Sequence, residues 1–457
     1  MRTVRMNKRE LLKALSAGSL ALPWSRAAQP AGLARVVVVG GGMAGATAAK
    51  YLRLWSQRSI EVTLVEPSAQ YTSNIMSNLV LTGQYSPSIL NYGWSNLQRN
   101  YGIARVVGSV TAVEPGGSLG AWKVSIATAS GTQVRYCERV VLAPGIQFDA
   151  VPSMQDASVP APILHAWQAG PQTLQLRDQL AAMPATGRFV MTIPKAPYRC
   201  PPGPYERACV VADYLKRNKP GAQVLVLDAN PDIMAERENF SLAFGTMYAS
   251  NLRYLSGRVL RSVQASAGQA GGAVRVDVVV RDASGQELVM GSETHEAQVL
   301  NVIPPHRAGA IVQALGLADA GGFAPVDGRS FESTLPGRAG LHVIGDAAKT
   351  TLPKAGHVGN QGAKICADAI VRAFAGLPPY ATPTANSACF SPLSNSLASW
   401  LTAVYQYEQD PVSGAWRFVA RDQVAGTVGA TEAAGPSTEQ FEKMGTWYRS
   451  LMNETYL

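Results

Sequence analysis

The chain has little of what would mark a metal, haem or disulfide-framework protein. It carries five cysteines in 457 residues, Cys137, Cys200, Cys209, Cys366 and Cys389. An odd count at scattered spacing argues against a disulfide framework. No Cys-x-x-Cys occurs, so the chain encodes neither a zinc ribbon nor a c-type haem site of its own, and no metal ligand set is expected. No internal apolar run approaches the ~20 residues of a spanning helix. A basic cluster with interleaved aromatics is missing too, although the formal charge is +9. Residues 1–31 hold six bases (Arg2, Arg5, Lys8, Arg9, Lys13, Arg26) against Glu10, so five of those charges sit there and +4 remains. Nucleic-acid binding is therefore disfavoured.

That basic segment, residues 1–31, reads as an export leader. Asn7-Lys8-Arg9-Glu10-Leu11-Leu12-Lys13 resembles a twin-arginine signal with Lys in the first basic place. A modest apolar stretch, 14–24, and a small-residue region, 25–31, follow. The Tat route suits a protein that takes up its cofactor before export, and the Lys-Arg pair leaves the Sec route open. Either predicts a periplasmic protein, in a compartment where disulfides persist. The remaining length calls for two or three domains.

What is present begins with a nucleotide site. Residues 35–39, Arg-Val-Val-Val-Val, read as a buried parallel strand. Gly40-x-Gly42-x-x-Gly45 follows at once, then an Ala-rich helix over 44–56 and a second strand over 60–65 ending in Glu66. Strand, glycines, helix, strand and acid in register are a strong signal where a lone glycine motif is weak. Gly40 permits the turn, Gly42 and Ala44 open the backbone to a pyrophosphate, and Gly45 lets the helix pack on the sheet. Glu66 can accept both ribose hydroxyls, which disfavours a 2′-phosphate. Two later segments favour FAD over NAD: a strand ending in Ala143-Pro144-Gly145, and another ending in Gly345-Asp346. In such folds the acid accepts a bond from the ribityl chain. Pro353-Lys354-Ala355-Gly356-His357 then leads into a helix over 359–374, whose N-terminus can face the flavin where negative charge gathers on reduction. Lys354 is a candidate for the same work, or a solvated loop lysine. His357 is a candidate proton shuttle, or a polar loop residue.

A second α/β unit keeps the shape of a nicotinamide domain, with strands over 189–193, 224–228 and 299–303. Its phosphate loop is replaced by Tyr198-Arg199-Cys200-Pro201-Pro202-Gly203-Pro204 before a helix over 205–216. Prolines remove N–H donors, so this turn cannot cradle a pyrophosphate, and it offers a thiol instead. Electrons are not expected to arrive from a nicotinamide. Cys389 lies in a segment read as irregular, beyond the FAD domain. Cys137, Cys209 and Cys366 read as buried small residues. Glu206, in the first helical turn, is a base near the thiol or an exposed carboxylate favoured by the helix dipole.

At these residues the chain resembles the flavoprotein subunit of flavocytochrome c sulfide dehydrogenase, among the two-dinucleotide-domain flavoproteins that include sulfide:quinone oxidoreductases. The resemblance runs over nearly all of the chain after the leader. It is most specific at 198–207, 301–309, 331–333, 342–346 and 353–356, and includes Cys389 and Trp447-Tyr448. It implies an α/β fold of two Rossmann-like, glutathione reductase-like domains plus a C-terminal α+β interface domain. The expected boundaries are 32–150 with 307–380 for FAD, 151–306 for the second unit, and 381–457 for the last. It further implies a redox-active Cys200–Cys389 disulfide beside the flavin, with Cys200–Cys209 as a rival pairing. Glu206 would stand near that pair, Trp447 would wall the flavin or serve as core packing, and electrons from a small sulfur substrate would leave to a haem on a c-type cytochrome partner. The family often tethers FAD through a cysteine in Tyr-Thr-Cys. Here the segment reads Tyr71-Thr72-Ser73-Asn74, so non-covalent FAD is expected, with the Ser73–Asn74 loop still passing the flavin. Two alternatives remain: a sulfide:quinone oxidoreductase, and a non-catalytic FAD-binding relay subunit.

Overall fold

Val36 to Val39 are buried on both sides of a sheet, as an unbroken β-branched run requires. In the computed structural model, which describes residues 34–151, 154, 163–266, 271–421 and 429–457, Ala34–Val39 is the middle of five parallel strands. Their order is Leu341–Val343, Arg139–Leu142, Ala34–Val39, Ile60–Val65, Ala104–Val106. The leader, residues 1–31, lies outside the described residues. The helix Met43–Trp55 follows the glycine turn and packs on the helix Gly356–Phe374. A three-stranded antiparallel sheet, Ser109–Pro115, Trp122–Thr128 and Gly131–Cys137, precedes the strand Arg139–Leu142.

The second unit is a four-stranded parallel sheet in the order Leu252–Leu255, Gln223–Asp228, Arg188–Ile193, Val299–Val302. The helix Gly203–Asn218 connects its two central strands and is buried along most of its length. An antiparallel sheet of Arg258–Ala265, Gly272–Arg281 and Glu287–Ala297 comes before its last strand. The α/β class with parallel sheets is thus the one expected.

Beyond residue 383 the chain forms an antiparallel sheet of Thr384–Pro392, Ala398–Gln409 and Trp416–Arg421, then the helix Thr438–Tyr456. One expectation is corrected here. Cys389 is not in an irregular segment but in the strand Thr384–Pro392, opposite Leu401. Asn386, Ser387, Ala388 and Ser391 have weak strand preference. The strand is imposed by its partner, Ala398–Gln409, which pairs along its whole length. The last helix is capped by the Ser437 hydroxyl, which accepts from Gln440 N–H. It ties back to the first domain through Tyr456, whose hydroxyl donates to the Gly41 carbonyl at 3.2 Å.

Candidate active site

Two glycines decide whether the first turn can form. Gly40 has φ +100°, and a Cβ there would stand 2.3 Å from the Ala143 carbonyl oxygen; one on Gly45 would stand 1.8 Å from the Gly40 oxygen. The turn therefore brings the helix Met43–Trp55 onto the sheet with its first N–H groups free of any side-chain cap and with no acid in its first turn. Such an end attracts phosphate. The same holds for the helix Gly356–Phe374, capped by Ala355 without a side-chain bond. Both ends open on one cavity of about 580 Å³, within the size range of cofactor sites.

The cavity wall gathers most residues singled out from the sequence: Gly40, Gly42, Ala44, Glu66, Asn74, Ala143, Gly145, Gly345, Asp346, Trp447, Cys200, Cys389 and Glu206. Glu66 also braces the loop, accepting from the N–H groups of Gly41 and Ser68 at 2.8 and 2.9 Å. Asn74 accepts from Ala169 N–H at 2.8 Å. Three residues stand elsewhere. Gly45 is packing, as its contacts require. Ser73 is buried between the lining residues Thr72 and Asn74, with its hydroxyl on the Ile75 carbonyl, and is not itself part of the wall. Lys354 is no solvated loop lysine: it lies behind Asp346, its ammonium donating to the carbonyls of Asp346 and Ala348 at 2.7 and 3.0 Å. Burial brings its pKa down to about 8. His357 is in the first turn of the helix Gly356–Phe374 rather than a loop, and its Nδ1 accepts from Ala388 N–H at 3.0 Å. That bond fixes the Cys389 strand against the helix end.

Cys200 and Cys389, far apart in the chain, meet at this cavity, and all five cysteines are free thiols. Cys200 holds a left-handed φ of +59°, its N–H donates to the Lys354 carbonyl, and its own carbonyl accepts from Gly203 N–H. Burial pushes its thiol up to about 12, with the Glu206 charge adding to the shift. Cys389 is pushed well up by burial, then by the charges of Cys200, Glu236 and Glu206. A lone thiolate is thus disfavoured at either sulfur relative to the neutral thiol.

Glu206 is 9 % exposed, which removes its reading as an exposed first-turn carboxylate. Its Oε1 accepts from Asn78 Nδ2 at 2.8 Å. Burial, and then the nearby Glu236 charge, raises it to about 8. From about pH 4.5, where the unfolded carboxyl ionises, to about 8, the native state keeps a proton that the unfolded chain has lost. Stability from this group is full below that window and falls as pH rises through it. Glu206→Gln should flatten the fall in urea midpoint of the ligand-free protein across the window; an unchanged slope would show that the carboxyl is solvated.

Sequence reasoning missed several residues of the site. Arg207 is 2 % exposed and donates to Asn78 Oδ1, to the carbonyls of His165 and Ala166, and to Asn301 Oδ1. Its guanidinium lies 4.7 Å from the Trp167 ring centroid. Arg199 donates from its backbone to His306 Nδ1 and from its side chain to the Trp167 carbonyl. A signal was available in Asn301, a polar residue inside the apolar strand Val299–Val302. In the second unit, Asp228 stands where a nicotinamide domain keeps its ribose acid. Here it is fully buried and accepts from the hydroxyls of Tyr205 and Tyr254, both at 2.8 Å. The chain's own side chains occupy that place.

Among the described residues no helix is long and apolar enough to cross a membrane, and no group of three or more His, Cys, Asp or Glu is placed to hold a metal.

The sequence model of the central part of the sulfide dehydrogenase (flavocytochrome c) flavoprotein chain matches residues 173–304, and that of pyridine nucleotide-disulphide oxidoreductases matches 34–170. The curated flavoprotein chain of sulfide dehydrogenase from Chlorobaculum thiosulfatiphilum is 55% identical over 49 residues, 11% of this chain and 100% of that sequence. In three dimensions the chain is similar to sulfide:quinone oxidoreductase from Aquifex aeolicus, with a TM-score of 0.67 and 15% identity, covering 93% of this chain and 91% of that one. It is also similar to an NAD-dependent persulfide reductase from A. fulgidus, with a TM-score of 0.57 and 13% identity over 92% and 77% of the two chains. The glycine cradle and the two uncapped helix ends fit FAD, the cofactor this class of fold holds.

Proposed function

This chain belongs to the flavoprotein chains of flavocytochrome c sulfide dehydrogenase, and on that premise we propose that it oxidises hydrosulfide through a Cys200–Cys389 disulfide and passes the electrons to a c-type cytochrome. The observation that carries the reading is the meeting of these two cysteines at the cavity whose glycine turn and helix ends suit FAD. Bound FAD supplies a two-electron acceptor that can release its electrons singly. The residues do the rest. Hydrosulfide attacks one sulfur of the disulfide, so one S–S bond forms as another breaks, leaving a persulfide and a thiolate. Cys389 is the thiolate whose sulfur bonds to the persulfide as the electron pair of the two passes to the bound FAD that would accept it, because its strand is held to the first turn of the helix Gly356–Phe374 and beside Trp447 through Phe390. Glu206, raised toward neutrality and facing the same cavity, takes the proton from the incoming hydrosulfide or thiol. Asp346 and the Gly42 end of the helix would hold the ribityl chain and the pyrophosphate. Ser73 offers no thiol, so the FAD is held without a covalent bond.

The filled Asp228 pocket supports the absence of a nicotinamide step. The first 31 residues support export to the periplasm, where such a disulfide persists. A sulfide:quinone oxidoreductase is the alternative reading, carried by the similarity in fold.

One anaerobic experiment separates these readings. Sulfide should bleach the flavin of the FAD-loaded protein, and ferricytochrome c should restore it faster than a short-chain quinone. The reverse order of acceptors would favour the quinone enzyme, bleaching by NADH would overturn the nicotinamide argument, and no bleaching by sulfide would leave a relay subunit. Acid precipitation should leave the FAD in the supernatant; flavin retained in the pellet would show a covalent link.

A further inference from the structure

Outside the residues assigned above stands one more buried acid. Glu236 is 2 % exposed and held at a left-handed φ of +51°. Its Oε1 accepts from the Ser391 hydroxyl at 2.5 Å, and its Oε2 from the Ser399 hydroxyl. Ser391 is two residues beyond Cys389 on one strand, hence on the same face, and both line the cavity. Ser399 belongs to the paired strand, directly opposite Ser391. A glutamate with both oxygens on serines of two neighbouring strands is a built arrangement, since a buried carboxylate persists only with its lone pairs satisfied.

We infer that Glu236, joined to the cavity wall by the Ser391 hydroxyl, is a second proton-holding residue of the sulfur site. This rests on the sulfide reading above. A proton leaving hydrosulfide or a thiol passes to the Ser391 oxygen while the Ser391 hydroxyl proton moves to Glu236 Oε1. The carboxylate becomes a neutral acid, Ser391 is unchanged, and charge and protons balance. The group is poised for this: burial, then the Glu432 charge, raises it to about 7. Glu206 and Cys209, from the helix Gly203–Asn218, both feel its charge. Cys389, on the strand Thr384–Pro392, does as well, and Glu432 faces it from Thr431–Glu432. On its own helix Arg237 is engaged by Asp232. With acids on three sides and no cation among the described residues bonded to it, the Glu236 carboxylate readily takes up that proton and gives it up again before the next turnover.

The test is the pH profile of flavin bleaching by sodium sulfide in FAD-loaded Glu236→Gln and Ser391→Ala, with the carboxylic-acid C=O band in the infrared as a second readout. Glu236→Gln should lower the plateau about tenfold, less than the ~10²-fold of a direct general base. It should also move the acid limb to lower pH, because a negative neighbour of Glu206 is gone, and remove one acid band. Ser391→Ala should lower the plateau similarly without moving the limb. Its wild-type plateau would overturn the serine route, and an unchanged plateau, limb and infrared band in Glu236→Gln would overturn the inference. If Glu236→Gln does not fold, Ser391→Ala decides. If wild-type flavin is not bleached, the sulfide reading fails, and loss of the acid band in Glu236→Gln alone decides whether Glu236 holds a proton.

Discussion

Cys200→Ser and Cys389→Ser should each give a folded protein that binds FAD but whose flavin sulfide no longer bleaches. The rate should fall by roughly 10⁴-fold or more, the scale seen when one member of a catalytic unit is removed. Retention of the fold follows from geometry. Serine is nearly isosteric, and the bonds that fix the Cys200 turn, from its N–H to Lys354 and from Gly203 N–H to its carbonyl, are made by backbone. Cys389 is likewise fixed by its strand. The double variant should be no slower than either single one, because neither sulfur works without the other. A single variant that keeps even a tenth of the wild-type bleaching rate would show that sulfide reaches the flavin without the disulfide. Cys209→Ser is the control. That thiol is fully buried in the helix Gly203–Asn218, so its replacement should leave bleaching unchanged and thereby exclude the Cys200–Cys209 pairing.

Arg207→Ala should destabilise the protein by about 3–5 kcal/mol, the cost of breaking a buried charged network. Its guanidinium joins Asn78 of the first domain, the carbonyls of His165 and Ala166, and Asn301 of the second sheet. Removal leaves Asn78 Oδ1, Asn301 Oδ1 and the Ala166 carbonyl without their donor, while the His165 carbonyl keeps its bond from Asn301 Nδ2. Arg207→Lys should recover only part of the loss, since an ammonium cannot reproduce the fork that reaches four partners at once. Urea midpoints of the three proteins decide this, and a loss under about 1 kcal/mol for Arg207→Ala would mean that water replaces the side chain. Because Asn78 donates to Glu206 as well, Arg207→Ala should also shift the pH profile of bleaching, which a purely structural residue would leave alone.

Much of this site was legible because its chemistry is local in sequence. Gly40 and Gly45 are required by one turn, Gly45 by its approach to Gly40 five residues earlier and Gly40 by Ala143 at the end of the neighbouring strand. The proline turn at Cys200 declares itself by replacing glycines between a strand and a helix. Glu206 was seen as a candidate, but its burial was not, because an acid in a first helical turn is normally favoured by the dipole and solvated. Only the tertiary packing that buries it and sets Asn78 Nδ2 on its Oε1 shows otherwise. Lys354 and Ser73 carried the right residue types one layer away from the cavity, a distance that sequence spacing does not measure.

The amino-acid sequence by itself determined the α/β class, the nucleotide turn, the loss of a second phosphate loop and the thiol in its place, since backbone conformation and hydrogen-bonding capacity are properties of neighbouring residues. Tertiary structure alone decided that Cys389 lies on a strand at the same cavity as Cys200, that Tyr205 and Tyr254 fill the Asp228 pocket, and that Arg207 and Glu236 are buried. Each of these depends on elements distant in the chain coming together, and burial, which sets both the proton affinities and the cost of an unpaired group, exists only once they have.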